Sequence, residues 1–177
     1  MELSFGRPDS LAGRIPQEIR CYDFLDHLGI EYWRVDHPPA DTMEVCQARA
    51  AVLQTRICKN LFLCNRQVTT FYLLVLPAEK AFKTSVVSGQ LGVARLHFAD
   101  AKHMADFLDL HPGSVSILGL MNDRQQHVRL LMDRDLKKQA WFACHPCINT
   151  SSLKFKTADL FEKVIPAMGH EPTFLDL

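Results

Sequence analysis

Two apolar, β-rich segments joined by a short polar link constrain the fold of this chain more than any other feature. The segments are Ile57–Cys64 and Thr69–Leu76, and the link contains Asn65–Gln67. A link of this length joins neighbouring antiparallel strands as a hairpin. Because this hairpin stands among helical patterns, the sequence predicts an α+β fold rather than a doubly wound parallel sheet.

Helical patterns and further strand-like runs surround the hairpin. Pro16 suits the first turn of a helix that starts at Ile15, and Gly29 suits the position after its end. Asp41 or Thr42 can cap a helix over Met43–Ala51. The other predicted helices are Thr84–Leu91, Ala101–Leu108 and Ala158–Met168, and the other predicted strands are Gly29–Asp36, Arg95–Phe98, Val128–Met132, Trp141–Cys144 and Ser152–Phe155.

Length and composition indicate one core. The chain has 177 residues, of which 47% are hydrophobic and 23% charged, and no low-complexity block interrupts it. We therefore expect residues 15–177 to form a single domain, with residues 1–14 as an N-terminal arm. No run approaches the roughly 18 consecutive apolar residues that a membrane span needs. Since Met1–Gly13 also lacks the layout of a secretory signal, we expect a cytoplasmic protein without membrane contact.

Charge limits how this chain could meet a nucleic acid. Lys plus Arg equals Asp plus Glu at 20 each, so any nucleic acid must bind a local patch rather than a field of the whole protein. Four cations lie in or near the Ile57–Cys64 strand, namely Arg49, Arg56, Lys59 and Arg66. They are either such a patch or ordinary solvated surface charge.

Lys59 lies on an apolar strand face. Strict alternation puts it on one face with Leu61 and Leu63, and Asn60 and Phe62 on the other. A buried lysine is costly unless it meets an anion, so Lys59 either extends to solvent or lines a pocket for a phosphate or carboxylate. Both interpretations stay open on the pattern alone.

The segment His111–Ser116 is either a turn or part of a ligand site. Gly113 lets backbone groups approach a ligand closely, and the serines are small enough to leave those groups accessible. A Pro-Gly pair is also a common turn signal.

The pair Cys144 and Cys147 suggests a redox motif, because C-x-x-C follows a strand-like run. Only 30 residues follow Cys147, however, and a thioredoxin-type domain places most of its chain after the motif. A zinc site lacks a second close pair of Cys or His ligands, so no metal is predicted. His145 is either a structural histidine or a donor in a site. Motifs for nucleotide hydrolysis, serine hydrolases and zincins are absent from the sequence.

Taken in order, five short motifs resemble one known group of proteins. They are Lys59–Leu63, His111–Ser116, Leu131–Asp133, His145–Pro146 and Asn149–Thr150. In them the chain resembles the YbaK and prolyl-tRNA synthetase-associated editing superfamily, and among its branches the free-standing alanyl-tRNA(Pro) deacylases. The resemblance implies a mixed, barrel-like β-sheet surrounded by helices. It also implies a pocket without metal or cofactor that hydrolyses the ester of a mischarged aminoacyl-tRNA.

The resemblance also implies roles for particular residues. Lys59, Gly113 and His145 match the catalytic positions, with Lys59 holding the terminal phosphate-sugar of the tRNA. The implied substrate-binding residues are Asn60, His111, Ser114, Val115, Ser116, Ile117 and Asn149. Ile117 stands where the family has proline, so the loop loses a fixed φ and an added apolar side chain could change selectivity.

Partners and alternatives follow from the same resemblance. The expected partner is the acceptor end of an aminoacyl-tRNA, together with transient association with prolyl-tRNA synthetase. Alanyl-tRNA(Pro) is the expected substrate, because a synthetic site built for proline cannot exclude the smaller alanine. Cysteinyl-tRNA(Pro), or a non-catalytic module that senses charged tRNA or an amino acid, are the alternatives. The sequence does not predict an oligomeric state.

Overall fold

The computed structural model describes the backbone of residues 1–177 and every side chain except that of Met43. Along this chain the strands, numbered β1 to β9 in order, are Leu3–Phe5, Tyr32–Asp36, Cys58–Cys64, Phe71–Pro77, His97–Phe98, Val128–Asp133, Trp141–Cys144, Ser151–Lys156 and Thr173–Leu175.

The helices pack around these strands. The α-helices α1 to α4 are Pro16–His27, Met43–Leu53, Thr84–Leu91 and Ala101–Leu108. Two 3₁₀ segments cover Ile117–Asn122 and Arg134–Lys138. The last helix is α-helical over Thr157–Asp159, π-helical over Leu160–Val164 and α-helical again over Ile165–Ala167. Among the described residues, no helix combines the length and apolar character that a bilayer crossing requires.

Two sheets organise the fold. The first has the order β1-β2-β8-β7, and all its pairs are antiparallel. The second has the order β5-β3-β4-β6-β9, with antiparallel pairs at β5-β3-β4 and parallel pairs at β4-β6-β9. The α+β prediction with mixed strand directions is confirmed. The described strands form two separate sheets, however, and not one closed barrel.

Strand β3 separates two hydrophobic clusters as its alternation predicts. Cys58 and Phe62 pack into the main core between the sheets, whereas Leu61 and Leu63 pack into a second cluster with α3. Every residue of β4 is buried, because the second sheet is covered on both faces. On the other side of the molecule, α2 packs through Leu53 onto the outer face of the first sheet.

Local signals mark several element ends as predicted. Pro16 begins α1, and Gly29 follows its end with a positive φ of 67°. The Thr42 hydroxyl accepts a hydrogen bond from the Val45 backbone N–H at 3.3 Å, which caps α2.

Several elements differ from the predictions. The predicted arm contains β1, which pairs along β2, so part of residues 1–14 belongs to the first sheet. Strand β9 and the 3₁₀ segments Ile117–Asn122 and Arg134–Lys138 were not predicted. Three-residue strands are too short to show periodicity, and their pairing depends on a neighbour distant in sequence.

Candidate active site

An open cleft of about 440 Å³ lies between α2, the start of β3 and the end of β4. Its charged lining residues are Arg49, Arg56, Lys59 and Glu79. The volume is within the range of small-molecule sites. With three cations against one carboxylate, the cleft favours an anionic ligand.

Lys59 lines this cleft from β3. Its Nζ donates a hydrogen bond to the backbone carbonyl of Lys80 in the loop after β4. An ammonium has three donors, so two remain for a ligand. Lys59 is therefore partly exposed and held at the cleft wall by a neutral acceptor.

A small cavity adjoins the cleft. Its volume is about 10 Å³, and it shares Arg49, Ile57 and Cys58 with the cleft. The rest of its lining consists of Leu53, Ala143, Cys144, His145 and Ser152. Space of this size is at the lower limit for one water molecule.

His145 lies at the wall of this cavity with both ring nitrogens bonded. Nδ1 is 2.8 Å from the Ser151 carbonyl oxygen, and Nε2 is 3.0 Å from Arg49 Nη1. A carbonyl only accepts and a guanidinium only donates, so Nδ1 carries the proton and Nε2 is an acceptor. Burial and the nearby positive charge of Arg49 lower the pKa of His145 to about 4. The imidazole is therefore neutral at physiological pH.

A second histidine is held in the same way. His37 Nδ1 is 2.7 Å from the Pro38 carbonyl oxygen, and Nε2 is 2.9 Å from Ser152 Oγ. The His37 and His145 rings lie 6.1 Å apart. Burial lowers the pKa of His37, and Arg49 acts in the same direction.

Arg49 connects the two histidines. It is 5% exposed, and its Nη1 donates to His145 Nε2 and, at 3.2 Å, to Ser152 Oγ. Its Nη2 lies 3.7 Å from the Cys46 sulfur, and its Nε has no hydrogen-bond partner among the described groups. Burial lowers the pKa of Arg49.

The loop at Gly113 reaches His145 from the main core. Gly113 has a φ of 89°, which favours glycine, and an added Cβ would lie 3.9 Å from Asn149 Nδ2. The Ser114 hydroxyl donates to the His111 carbonyl at 2.8 Å, which closes the turn. The buried Ser116 hydroxyl donates to the backbone carbonyl of His145 at 2.6 Å. This loop therefore fixes the backbone that carries His145.

Comparison with known proteins identifies the family. The model of the aminoacyl-tRNA editing domain matches residues 37–163, which contain the cleft, both histidines and the Gly113 loop. The chain belongs to the aminoacyl-tRNA editing domain family. Editing of a charged tRNA is hydrolysis of its aminoacyl ester, so this editing domain is an aminoacyl-tRNA hydrolase.

Individual relatives and a solved structure agree with this assignment. The chain is 30% identical over 146 residues to the prolyl-tRNA editing protein ProX of Acetoanaerobium sticklandii, covering 82% of this chain and 88% of the relative. It is 27% identical over 155 residues to prolyl-tRNA synthetase associated domain-containing protein 1 of Danio rerio, covering 86% and 83%. A solved structure described as a candidate trans-editing enzyme for prolyl tRNA synthetase matches with a TM-score of 0.67 at 13% identity, covering 92% of this chain and 98% of that one. At that identity the structural match bears on the fold alone.

The structure brings some predicted site residues of the editing domain together and separates others. Gly113 approaches Asn149, and Ser116 is bonded to His145. Ile117, in contrast, is fully buried in the main core and lines neither the cleft nor the cavity, so direct contact between its side chain and a ligand is not supported.

The remaining predicted residues lie around this group. Val115 packs against the main core, and His111 is exposed at the loop turn. Asn60 is on the opposite strand face from Lys59, and its buried Oδ1 has no hydrogen-bond partner among the described groups. Arg66 lies in the β3–β4 turn, roughly 20 Å along the strand from Lys59, so it is not part of the cationic cleft.

Sequence reasoning missed the partners of His145. Arg49 was considered as part of a nucleic-acid patch or as solvated surface charge but not as a partner of His145, and His37 and Ser152 were not considered as site residues. A signal was present: Cys46, Arg49 and Leu53 recur at helical spacing on the inner side of α2. A charged residue within such a stripe indicates a buried polar contact.

The cysteines do not support a redox site. Cys144 and Cys147 are both buried, and burial raises the pKa of the Cys144 thiol, which is opposite to what a reactive thiol needs. Cys147 Sγ lies 3.4 Å from Cys21 Sγ rather than pairing with Cys144. Among the described side chains, no three His, Cys, Asp or Glu residues cluster as metal ligands would.

Proposed function

We propose that this editing domain acts in trans to remove alanine from mischarged tRNA(Pro). The observation that carries the proposal is a cationic cleft that adjoins a cavity of about 10 Å³, whose wall contains the neutral His145. The cleft suits the phosphate-bearing end of a tRNA, and the cavity suits a small side chain. The relation to the prolyl-tRNA editing protein ProX supports tRNA(Pro) as the carrier.

In this proposal the cleft binds the nucleotide and the loops bind the amino acid. Two free donors of Lys59 hold the terminal phosphate-sugar. Backbone groups of the Gly113 loop, with Ser114 and Asn149 beside them, bind the α-amine and the ester. His145, whose two ring nitrogens are held by Arg49 and the Ser151 carbonyl, presents a fixed, neutral ring against which water or substrate is oriented. The rate then depends on positioning and electrostatic stabilisation rather than on a protein nucleophile.

Cavity size supports alanine over the alternatives. A methyl group is comparable in size to one water molecule, whereas the side chain of cysteine and the ring of proline are larger. A second site that admits only small side chains completes the double sieve that proline selection requires.

The test measures deacylation of three substrates, alanyl-tRNA(Pro), cysteinyl-tRNA(Pro) and prolyl-tRNA(Pro), by following the release of the amino acid. We expect rapid loss of alanine and retention of proline. Faster release of cysteine than of alanine would mean that cysteinyl-tRNA(Pro), and not alanyl-tRNA(Pro), is the substrate. Absence of hydrolysis with all three by the folded protein would leave a binding module instead.

We also propose that the protein associates transiently with prolyl-tRNA synthetase. The name of the Danio rerio relative supports this partner. Chemical crosslinking of the two purified proteins with and without tRNA(Pro) tests it, and an unrelated synthetase is the control. Equal crosslinking to prolyl-tRNA synthetase and to the unrelated synthetase would contradict a specific association.

A further inference from the structure

Arg49 is a buried cation without a counter-ion. Its three hydrogen-bond acceptors are an imidazole nitrogen, a hydroxyl oxygen and a thiol, all of them neutral. No carboxylate among the described side chains forms an ion pair with it. A buried charge that is not compensated is costly, so the fold alone does not explain a guanidinium here.

The environment of Arg49 favours an anion from outside. It lines the open cleft together with Lys59 and Arg56, and it also lines the cavity beside His145. Of these cations, Arg56 is 68% exposed and pairs with Glu79 at 3.4 Å. Lys59 and Arg49 are therefore the two cleft cations whose contacts are to neutral groups alone.

A phosphate is a better counter-ion for the unpaired guanidinium of Arg49 than a transient oxyanion is. A phosphodiester carries its charge in the ground state, so it compensates the guanidinium throughout the bound complex. Arginine also binds phosphate oxygens through two parallel N–H donors, and Nε without a partner is one such donor. An oxyanion that forms only during ester hydrolysis leaves the resting complex uncompensated.

We propose that Arg49 binds the phosphate of the 3′-terminal nucleotide of the aminoacyl-tRNA, and so anchors the ester beside His145. This inference rests on the proposed function, because it takes the charged tRNA end as the occupant of the cleft. It assigns to α2 a substrate contact that the sequence motifs do not include.

The test compares a substrate that has this phosphate with one that lacks it. Hydrolysis of alanyl-tRNA(Pro) and of 3′-O-alanyl-adenosine is measured for the unmodified protein and for Arg49→Met and Arg49→Lys. Loss of a charge-assisted contact should lower kcat/KM for alanyl-tRNA(Pro) about 10- to 100-fold in Arg49→Met. The loss for alanyl-adenosine should be at least about 10-fold smaller. Arg49→Lys should recover part of the activity, and Arg66→Met, at the far end of β3, should leave both substrates unaffected.

Two results would overturn the proposal. Equal losses for both substrates would mean that Arg49 acts only by orienting His145. No loss for alanyl-tRNA(Pro) would mean that it has no part in binding.

A binding measurement separates this proposal from the proposed function. If the unmodified protein hydrolyses neither ester, the deacylase proposal fails, and titration with adenosine 5′-monophosphate and adenosine still tests Arg49. We expect the monophosphate to bind at least about 10-fold more tightly than adenosine, and Arg49→Met to reduce this difference to the part that Lys59 supplies. Equal binding of the two by the unmodified protein would reject a phosphate site.

Discussion

Two partly or fully buried cations, Lys80 in the loop beside the cleft and Arg49 in the cleft wall, are compensated in opposite ways. Lys80 Nζ lies 2.7 Å from Asp133 and 2.6 Å from Asp135, and it donates to the backbone carbonyl of Leu177 at 2.8 Å. Although partial burial works against it, these carboxylates raise the pKa of Lys80. Arg49 has no carboxylate partner among the described side chains, and burial lowers its pKa.

The difference separates a structural cation from one that is available to a ligand. The charge of Lys80 is neutralised within the fold, and its carbonyl accepts the hydrogen bond of Lys59. Lys80 therefore holds the loop that positions Lys59. The charge of Arg49 is left for a bound anion, at the cost of desolvating a guanidinium.

The largest effect is expected for Lys59→Ala, which removes the cation that the Lys80 loop positions. We predict a loss of deacylation of about 100- to 1000-fold, because a preorganised donor at the reacting end of the substrate is lost. Single-turnover deacylation of alanyl-tRNA(Pro) measures it, with Arg66→Ala from the same hairpin as the control. Unfolding of Lys59→Ala, seen by circular dichroism, would instead indicate a structural lysine.

The second-largest effect is a decrease in the free energy of unfolding in the variant Lys80→Met. Lys80→Met leaves the carboxylate of Asp133, which is 1% exposed, without its cation. We expect a decrease in the free energy of unfolding of about 2–3 kcal/mol, below the full value for a buried pair because Lys80 is partly exposed. Urea denaturation measures it. Lys138→Met, which removes an exposed partner of Asp135, should cost less than about 0.5 kcal/mol, and equal costs for the two variants would contradict the assignment.

As the pH falls, the stabilising contribution of the Arg49–His145 contact should be lost at a higher pH than that of the Lys80–Asp135 ion pair. A histidine in the unfolded chain has a pKa of about 6.5. His145 in the folded chain has a pKa of about 4. Between these values the unfolded state binds more protons, so stability falls as the pH drops through this window. Lys138 and Lys80 lower the pKa of Asp135 to about 2, so that carboxylate stays ionised throughout.

Urea midpoints between pH 7 and pH 4 measure this prediction, and His145→Gln should show a smaller decrease. Deacylation should stay nearly constant down to about pH 5, because the imidazole remains neutral. A loss of activity centred near pH 6.5 would show that His145 titrates normally and is not held as described.

Of the two buried cations, Arg49 is expected to contribute less to stability, as tested by Arg49→Met. This substitution removes the cost of a buried charge but leaves His145 Nε2 and Ser152 Oγ without a donor. These changes oppose each other, so we expect the free energy of unfolding to change by less than about 1 kcal/mol. Urea denaturation beside Lys80→Met tests the comparison directly. A loss as large as that of Lys80→Met would make Arg49 a structural residue.

Much of the local structure could be predicted because its causes lie within a few residues. The helices Thr84–Leu91 and Ala101–Leu108 have the predicted ends, and Asp100 caps the second through the His103 N–H at 2.8 Å. Alternation along β3 also predicted that Lys59 and Asn60 face opposite sides. The edges of the two sheets were not predictable in this way, since β1 and β9 are short edge strands whose pairing is set by strands distant in sequence.

The features of the candidate active site also separate into those with local causes and those that depend on tertiary contacts. By itself the sequence determined the strand that carries Lys59, the turn that requires glycine at position 113, and the helix that carries Arg49. Only the tertiary structure decided that Arg49 meets His145 across 96 residues and that Lys59 meets the carbonyl of Lys80. Periodicity and backbone preferences act over a few residues, whereas contacts between distant side chains depend on sheet order and on how α2 packs. Whether a cation has a counter-ion is therefore a property of the folded chain.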